Sequence, residues 1–395
     1  MFSAPRQPRR PPLPARRRSV LGLVLAATLL AAAPAPAPAA QRPHRAKAAV
    51  EAAAGPAYGG SATVLAFASE VAERRQLPRE WLVMQLAQAR RVEAVRQLVM
   101  PPPAGTAKNW AAYRARFVEP RRIQAGLAFW RSNERSLQQA QARWGVPPEI
   151  VVAIVGVETF YGRVTGSFRT LDALATLGFD FPPGRSDRSA YFRSELEEFF
   201  VLCAREGQDP QAVRGSFAGA LGLPQFMPGS LNRYAVDGDG DGHIDLLNSS
   251  ADAVASVAHF LASFGWERGL ATHFAVSVPA DAADRAALLA PDIRPSFTAA
   301  QFAERGALLD EAGRAHGGPL ALVELQNGDR PPSHVAGTQN FYTVTRYNQS
   351  SYYALAVIEL AQALAEAQQR APGQAPQWPA NTLPSPVNRH PRAGV

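Results

Sequence analysis

One segment, VPPEIVVAIVGVETFYG (residues 146–162), restricts the fold more than any other part of the chain. It opens with two prolines, which suit the first turn of a helix, and it closes with Gly162, a residue type common just after a helix end. The side chains between them are almost all apolar, so the predicted helix belongs inside a core. Further helical patterns before and after it predict a mainly α-helical protein.

Glu158 is the single carboxylate in the stretch from Val151 to Gly162. On a helix it shares a face with Ile154 and Val155. A carboxylate on an apolar face is costly to ionise, so its pKa should be raised, and a raised pKa is what a general acid needs to hold its proton near neutral pH. A glutamate at a helix end that reaches solvent, or that pairs with Arg163, is the alternative.

Charge and composition exclude one class of partner. The chain has 395 residues, of which 47% are hydrophobic and 19% charged, as in a globular protein. The formal net charge is +8, but the first 41 residues hold six arginines and no acid, so the remainder carries only +2. The basic balance therefore belongs to the leader, and it supports no role in nucleic-acid binding.

We interpret residues 1–41 as a signal peptide. ARRRSV is basic, LGLVLAATLLAAA is apolar, and APAPAPAA offers small-residue cleavage sites before Gln41. The apolar run of about 13 residues is short for a bilayer core that takes roughly 20, which disfavours a membrane anchor. RRRSVLGL leaves twin-arginine export open. No cysteine lies near the cleavage region to carry a lipid, so we expect a soluble periplasmic protein.

The remaining chain has a helical pattern that is interrupted once by strand-like segments. Helical periodicity covers residues 61–144, 147–264 and 350–369. In between, HFAVSV, LALVELQ and FYTVTRY are typical of strands, while DAADRAALLA and TAAQFAERG are helical fragments. Cys203, the only cysteine, is interpreted as a buried small hydrophobe. We predict an N-terminal helical domain (42–145), a core in two pieces (146–266 and 341–370), a small inserted α+β domain (267–340) and a disordered Pro-rich tail (371–395).

The segment GSFAGALGLPQFMPGS (215–230) is dense in small residues, which let a backbone approach a ligand closely. Gln225, beside Phe226, supplies both donor and acceptor groups that suit a sugar. A tight helix-packing segment is the alternative.

In RYNQSSYYALAV, Tyr347 and Asn348 come just before a predicted helix. Asn348 fits equally as an N-cap of that helix. Tyr347, Tyr352 and Tyr353 fit equally as core aromatics.

An acidic loop, DGDGDGHIDLLN (237–248), follows the spacing of an EF-hand calcium loop. Position twelve is Asn248 instead of the bidentate glutamate, so we expect weak affinity. An Asp-Gly turn without metal is the alternative. Asp237, Asp239 and Asp241 occupy positions one, three and five of the loop. Gly242 provides the turn at position six, and His243 would offer its backbone carbonyl at position seven.

Four of these segments together resemble the lytic murein transglycosylases of the B type. They are VPPEIVVAIVGVETFYG, GSFAGALGLPQFMP, VDGDGDGHIDL and FYTVTRYNQSSYYALAV, in the same order and at similar separations over roughly residues 64–364. The resemblance implies a lysozyme-like helical core, a helical domain before it and a small inserted β domain. We expect a monomer that binds peptidoglycan glycan strands, and the residues identify no partner in a cell-wall synthesis complex.

The resemblance also implies roles for individual residues. The catalytic acid/base is Glu158, in I-x-G-V-E-T, and Asp252 matches a further acid that the family uses after its calcium loop. The chain has Leu223-Pro224 where family members often carry an aromatic residue or glycine, so the resemblance leaves the path of this loop open. The implied saccharide contacts are Tyr113, Ser216, Gln225, Phe226, Tyr347, Asn348 and Tyr353.

The implied reaction uses one carboxylate twice. Glu158 protonates the glycosidic oxygen between N-acetylmuramic acid and N-acetylglucosamine, while the N-acetyl carbonyl of the substrate stabilises the developing positive charge. Glu158 then removes a proton from the muramyl 6-hydroxyl, which attacks the anomeric carbon. The product is a 1,6-anhydromuramyl end, and no water is consumed. A calcium ion would be structural, because this reaction requires no Lewis acid.

Two other functions fit parts of the sequence. A hydrolytic muramidase needs a second carboxylate, for which Glu195, Glu197 and Glu198 in RSELEEFF are candidates, although their spacing fits a solvated helix face. An inactive peptidoglycan-binding scaffold has no reason to keep Glu158 on an apolar face.

Overall fold

The structure, a computed structural model, describes residues 54–101 and 107–370. The predicted signal peptide and the predicted Pro-rich tail lie outside the described residues. The described part forms sixteen helices and nine short strands, which confirms the expected mainly helical fold. None of its helices is long and apolar enough to cross a membrane.

Six helices and one short antiparallel ladder form the N-terminal part. Helix starts follow local chemistry: Pro78 precedes one helix as expected, and Glu119 accepts a hydrogen bond from the Arg121 backbone where another begins at Pro120. Strand β1 (Ala54–Ala57) pairs with β2 (Arg90–Val92). The helices are α1 (Ala62–Arg75), α2 (Arg79–Gln88), α3 (Glu93–Leu98), α4 (Trp110–Arg114), α5 (Pro120–Ser132) and α6 (Glu134–Trp144).

The next five helices begin with the predicted apolar helix, α7, in which every residue from Ile150 to Val157 is buried. Strands β3 (Phe168–Arg169) and β4 (Arg214–Gly215) pair antiparallel. Cys203 is buried, as expected. The helices are α7 (Pro148–Thr159), α8 (Thr170–Phe179), α9 (Ser189–Glu206), α10 (Pro228–Tyr234) and α11 (Ser250–Ser263).

The segment after α11 has its own small sheet and a separate small core, which includes Leu288, Phe302 and Leu322. LALVELQ lies in a strand and both predicted helical fragments are helices. The elements are β5 (His273–Phe274), β6 (Val276–Ser277), α12 (Ala282–Leu289), α13 (Ala299–Glu304), β7 (Leu308–Leu309), α14 (Glu311–Ala315), β8 (Ala321–Asn327) and β9 (Arg330–Gly337). The three-stranded sheet has the antiparallel order β5-β9-β8, and β6 pairs with β7.

The strand prediction for FYTVTRY is wrong, because this segment lies in helix α15 (Gln339–Asn348). Phe341, Val344 and Tyr347 bury one face at helical spacing, and this burial outweighs the strand preference of β-branched residues.

The last helix, α16 (Ser351–Gln369), is capped by Ser350, whose side chain accepts a hydrogen bond from the Tyr353 backbone. The N-cap alternative for Asn348 is therefore wrong, since Asn348 is the last residue of α15. Helix α16 returns to pack against α5 and α7, so α7 lies among α5, α6, α11 and α16. This central position fixes where the side chains at the end of α7 emerge.

Candidate active site

Glu158 lies in the last turn of α7, at the point where the buried helix stops. The helix ends because Phe160 and Tyr161 adopt positive φ angles of 51° and 60°, followed by Gly162 at 82°. Two consecutive non-glycine residues in this region are strained, and such strain is concentrated at functional sites. Glu158 is half-buried, while both its chain neighbours are buried.

Burial in these apolar surroundings raises the pKa of Glu158 to about 8. Opposing this, the Tyr353 hydroxyl donates a hydrogen bond of 2.6 Å to Oε1 of Glu158, which favours the ionised form. The negative end of the α7 dipole also disfavours a carboxylate in the last turn. The alternative partner, Arg163, lies instead over the Phe160 ring at 5.0 Å. Glu158 therefore holds its proton near neutral pH, as expected.

Two buried tyrosines lie behind the carboxylate. The rings of Tyr347 and Tyr353 are stacked, with centroids 6.1 Å apart and planes at 13°. The Tyr347 hydroxyl donates to the Pro224 carbonyl at 2.6 Å. Both side chains are buried, so the structure corrects their predicted role: they present no surface to a saccharide, and they position Glu158 and the loop at Pro224 instead.

The path of the loop around Leu223-Pro224 is set by hydrogen bonds. Leu221 and Phe226 exchange backbone bonds of 2.8 and 3.1 Å, and the Leu223 amide donates to Leu246 at 2.8 Å. The Thr159 hydroxyl donates to the Leu223 carbonyl at 2.9 Å. Since Thr159 follows Glu158 directly, this bond ties the loop to the end of α7. Thr159 was not predicted as a site residue, and its place beside Glu158 was the only signal for it.

Gln225 joins the loop after α7 to the loop at Gly222. Its side-chain amide donates to the Thr165 carbonyl at 3.1 Å and to the Gly222 carbonyl at 2.9 Å. The backbone of Gln225 has a φ of 51°, so the residue is held in a strained turn. Only 8% of Gln225 is exposed, and its donor groups are occupied by the protein. The side-chain oxygen is the group left to accept from a ligand.

Ser216 and Phe226 are also buried. The Ser216 hydroxyl oxygen accepts from the Ala220 amide at 3.0 Å, which closes the turn of GSFAGA. Phe226 is 1% exposed, with its ring centroid 5.4 Å from that of Phe260. The predicted saccharide contact of Phe226 is therefore corrected to a core position beneath the loop, while Ser216 shapes the turn.

Tyr113 approaches Glu158 from the N-terminal part. It is half-buried in α4, and its pKa is raised by burial and, second, by the nearby Glu158 charge. Its ring lies 5.9 Å from that of Tyr352, which the structure places beside the site rather than in the core. Asn348, the remaining predicted saccharide contact, is half-buried at the end of α15.

The three acids considered as a second carboxylate each have partners of their own. Glu197 accepts from Arg74 at 2.8 Å and from Arg75 at 2.6 Å, and Arg75 also pairs with Glu198 at 2.6 Å. Glu195 accepts from the Gly229 amide at 2.7 Å, at the start of α10. The expectation of a solvated face is wrong for Glu195 and Glu197, which are buried.

The acidic loop gathers three carboxylates. Oxygen atoms of Asp237, Asp239 and Asp252 all lie within 4.8 Å of one another. Asp252 is buried and accepts from the Gly238 and Asp245 amides at 2.8 and 2.7 Å, which orients its carboxylate. This oxygen-rich set fits a hard cation such as calcium.

Asp241 is not part of this group, and its carboxylate accepts from the His243 amide at 2.8 Å. His243, predicted to act through its backbone carbonyl, is exposed. Gly240 and Gly242 have φ angles of 82° and 90°, as the predicted turn requires.

Known proteins match this chain over most of its length. Residues 60–362 match the family model described as transglycosylase SLT domain. Membrane-bound lytic murein transglycosylase B of Escherichia coli (strain K12) is 38% identical over 308 residues, which cover 76% of this chain and 81% of that protein.

Solved structures agree. The Escherichia coli lytic transglycosylase Slt35 in complex with bulgecin A has a TM-score of 0.71 at 36% identity, covering 80% of this chain and 96% of that one. Slt35 in complex with calcium has a TM-score of 0.70 at the same identity and the same coverage. SltB3 from Pseudomonas aeruginosa in complex with NAG-anhNAM-pentapeptide has a TM-score of 0.63 at 28% identity, covering 76% and 78%. These matches confirm the resemblance inferred from the four motifs, and the chain belongs to the transglycosylase SLT domain family as a lytic transglycosylase of peptidoglycan.

Proposed function

We propose that this enzyme cleaves the β-1,4 bond between N-acetylmuramic acid and N-acetylglucosamine without water, and that Glu158 serves first as the acid and then as the base. The observation that supports this most strongly is the pKa of Glu158, raised to about 8 by burial while one hydrogen bond from Tyr353 supports its ionised form. A group that must give a proton and take one back needs a pKa near the working pH.

In the first step, protonated Glu158 donates to the glycosidic oxygen, and the bond from this oxygen to the muramyl anomeric carbon breaks. The substrate's N-acetyl carbonyl stabilises the positive charge at that carbon. In the second step, the Glu158 carboxylate accepts the proton of the muramyl 6-hydroxyl as its oxygen bonds to the anomeric carbon. Glu158 ends protonated, so the enzyme is regenerated and the sugar end is a 1,6-anhydromuramyl group. Tyr353 stabilises the carboxylate that exists between the two steps.

A hydrolytic reaction would need a second carboxylate to activate water or to act as a nucleophile. Glu195, Glu197 and Glu198 are bound to the partners described above, so none of the three is supported in that role. A substrate that supplies its own 6-hydroxyl removes the need for one.

We also infer that the acidic loop holds one structural calcium ion. The support is the close grouping of Asp237, Asp239 and Asp252 and the calcium complex of Slt35. Asp252, on α11, and Asp237, in the loop, would be joined by the ion, which would fix the loop against that helix. The loop also bonds to the site through Leu246, which accepts from Leu223.

Periplasmic action is a further part of the proposal. The basic, apolar and small-residue order of residues 1–41 supports export. The ligand of SltB3, NAG-anhNAM-pentapeptide, supports glycan strands with stem peptides as the molecules that the cleft accepts.

The proposed mechanism is tested by Glu158→Gln, which keeps the shape and removes both the donor and the later base. General acid–base catalysis contributes about 100- to 10,000-fold, so turnover of purified sacculi should fall at or beyond the top of this range. Glu149→Gln is the matched control: Glu149 lies in the first turn of the same helix, and burial raises its pKa too. If Glu158→Gln kept a tenth of the activity, another residue would have to be the acid.

A further inference from the structure

Three arginines surround one aromatic ring just after the catalytic glutamate. The guanidinium carbons of Arg121, Arg122 and Arg163 lie 6.0, 4.7 and 5.0 Å from the centroid of the Phe160 ring. Phe160 is half-buried, and Arg121 and Arg163 are exposed. We call Arg121, Arg122 and Arg163 the arginine patch. It concentrates three positive charges around Phe160, two residues after Glu158, at a place where the reaction requires none.

The arginine patch borders the candidate active site, because its neighbours on both sides are residues of that site. On one side, the Phe117 ring lies 5.3 Å from the Arg122 guanidinium and 5.2 Å from the Tyr113 ring. On the other side, the loop that carries Arg163 runs on to Thr165, whose carbonyl accepts from Gln225. The patch therefore lies between Tyr113 and Gln225.

The positive charge of the patch is not balanced by the protein. In the described part of the chain, none of the ion pairs within 4.0 Å includes any of the three arginines. Glu119 is the nearby acid, and its carboxylate accepts from the Arg121 backbone at 2.8 Å.

Arg122 is the most enclosed of the three. Burial lowers the pKa of its guanidinium, and its buried Nε has no hydrogen-bond partner among the described residues. Another of its nitrogens donates to the Gly156 carbonyl, one turn from the end of α7, which fixes the side chain. A half-buried cation without a paired acid loses solvation, and an anion bound beside it would restore the balance.

We propose that the arginine patch binds carboxylates of the stem peptide carried by the muramyl sugar at the cleavage site. This inference rests on the proposed function, since it deepens the definition of the substrate. Guanidinium groups recognise carboxylates through paired hydrogen bonds, and stem peptides are the carboxylate-bearing part of peptidoglycan. Because the patch surrounds Phe160, two residues beyond Glu158, it would reach a peptide attached to the same sugar that Glu158 cleaves. The enzyme would therefore prefer glycan strands that still carry peptides.

The test compares two substrates: purified sacculi, and the same glycan strands after an amidase has hydrolysed the amide bond to the stem peptide. The treated strands have lost the peptide carboxylates and keep one lactyl carboxylate on each muramyl sugar. For the variant Arg121→Ala/Arg163→Ala, kcat/KM on peptide-bearing strands should fall about tenfold, and kcat/KM on peptide-free strands should change less than about twofold. Arg131→Ala/Arg135→Ala is the charge-matched control, since both arginines are exposed on α5 and α6 away from Phe160. Arg121→Lys/Arg163→Lys keeps the charge and should recover part of the loss.

The proposal would be overturned if kcat/KM of the double variant fell equally on both substrates, or if it fell on neither. An equal loss in the control pair would also overturn it, because general attraction to an anionic sacculus would then explain the effect. Glu158→Gln separates this test from that of the mechanism, since it should be inactive on both substrates whatever the patch does. Arg122 is left unchanged, because its bond to Gly156 is part of the helix end.

Discussion

The Tyr353 hydroxyl donates a hydrogen bond of 2.6 Å to Oε1 of Glu158, from the first turn of α16 to the last turn of α7. The two helices pack against each other, and Tyr353 is fully buried, so the bond has a fixed geometry. Burial raises the pKa of Glu158, and this hydrogen bond partly offsets the rise by lowering the pKa. In the proposed mechanism, Tyr353 therefore tunes the pH range in which Glu158 can act as an acid.

The pH profile of the reaction should show this tuning. In the proposed mechanism protonated Glu158 is the active acid, so kcat/KM should fall as pH rises through about 8. In Tyr353→Phe the carboxylate loses a hydrogen bond to its charged form, so its pKa rises and the falling limb should move to higher pH. Tyr352→Phe is the control, since the Tyr352 hydroxyl bonds to the Gln326 carbonyl. A limb that stays in place or moves to lower pH would exclude this role for Tyr353.

The pH dependence of the unfolding free energy should also reflect the titration of the Glu158 carboxyl group. The folded pKa of about 8 lies above the ordinary value of 4.5, so between these values the folded state keeps a proton that the unfolded state has lost. Stability of the wild type should therefore fall as pH rises through this window. Glu158→Gln does not titrate, so its advantage in unfolding free energy should grow to about 1–4 kcal/mol by pH 8.5, measured by urea unfolding. Glu304→Gln, on the surface of α13, should show no such trend.

Gly156 is predicted to be irreplaceable for a packing reason. A Cβ at this position would lie 2.6 Å from the Tyr161 hydroxyl, which is buried against α7. Glycine to alanine inside a helix usually gains about 1 kcal/mol, but overpacking a core costs about 1–3 kcal/mol. Gly156→Ala should therefore lower the unfolding free energy.

Gly178→Ala in α8 is the matched control for this substitution. The Cβ at Gly178 would meet the flexible Arg193 side chain at 3.2 Å, so this change should be close to neutral. If Gly156→Ala were as stable as Gly178→Ala, the contact with Tyr161 would not restrict the helix.

Calcium should stabilise the folded protein. An ion that binds only the native state raises the melting temperature as its concentration increases. Millimolar calcium should therefore raise Tm in the wild type, and the rise should vanish in Asp237→Ala, which removes one of the three clustered carboxylates. Asp329→Ala, an exposed acid in the β8–β9 turn, should keep the full response. An unchanged Tm in the wild type would favour the turn without metal.

The sequence was sufficient to predict the parts governed by local rules. Two prolines, an apolar run and Gly162 predict α7, and the apolar neighbours of Glu158 predict the raised pKa that the structure shows. The four motifs in order predict the family. These features depend on residues close together in the chain, where periodicity and helix-end preferences decide the structure.

Long-range packing decides what the sequence did not show. FYTVTRY reads as a strand, yet burial of Phe341 and Tyr347 makes it a helix. Strand β9 contains Pro331 and Pro332, which usually mark chain outside a sheet. They are tolerated because β5 pairs only with the other end of β9, at Ala336 and Gly337.

The same limit applies to the site. Motif matching assigned sugar contacts to Tyr347, Tyr353 and Phe226, but whether an aromatic ring lies on a cleft surface or beneath it depends on helices far apart in the chain. The arginines around Phe160 come from α5 and from the loop after α7, so no local spacing brings them together.

The central claim, that Glu158 cleaves the strand without water, is tested most directly by digesting purified sacculi in water labelled with heavy oxygen and weighing the released muropeptides by mass spectrometry. Attack by the muramyl 6-hydroxyl predicts anhydromuramyl ends that carry no label. Muropeptides heavier by one water, with the labelled oxygen at a reducing end, would show hydrolysis and would contradict the mechanism.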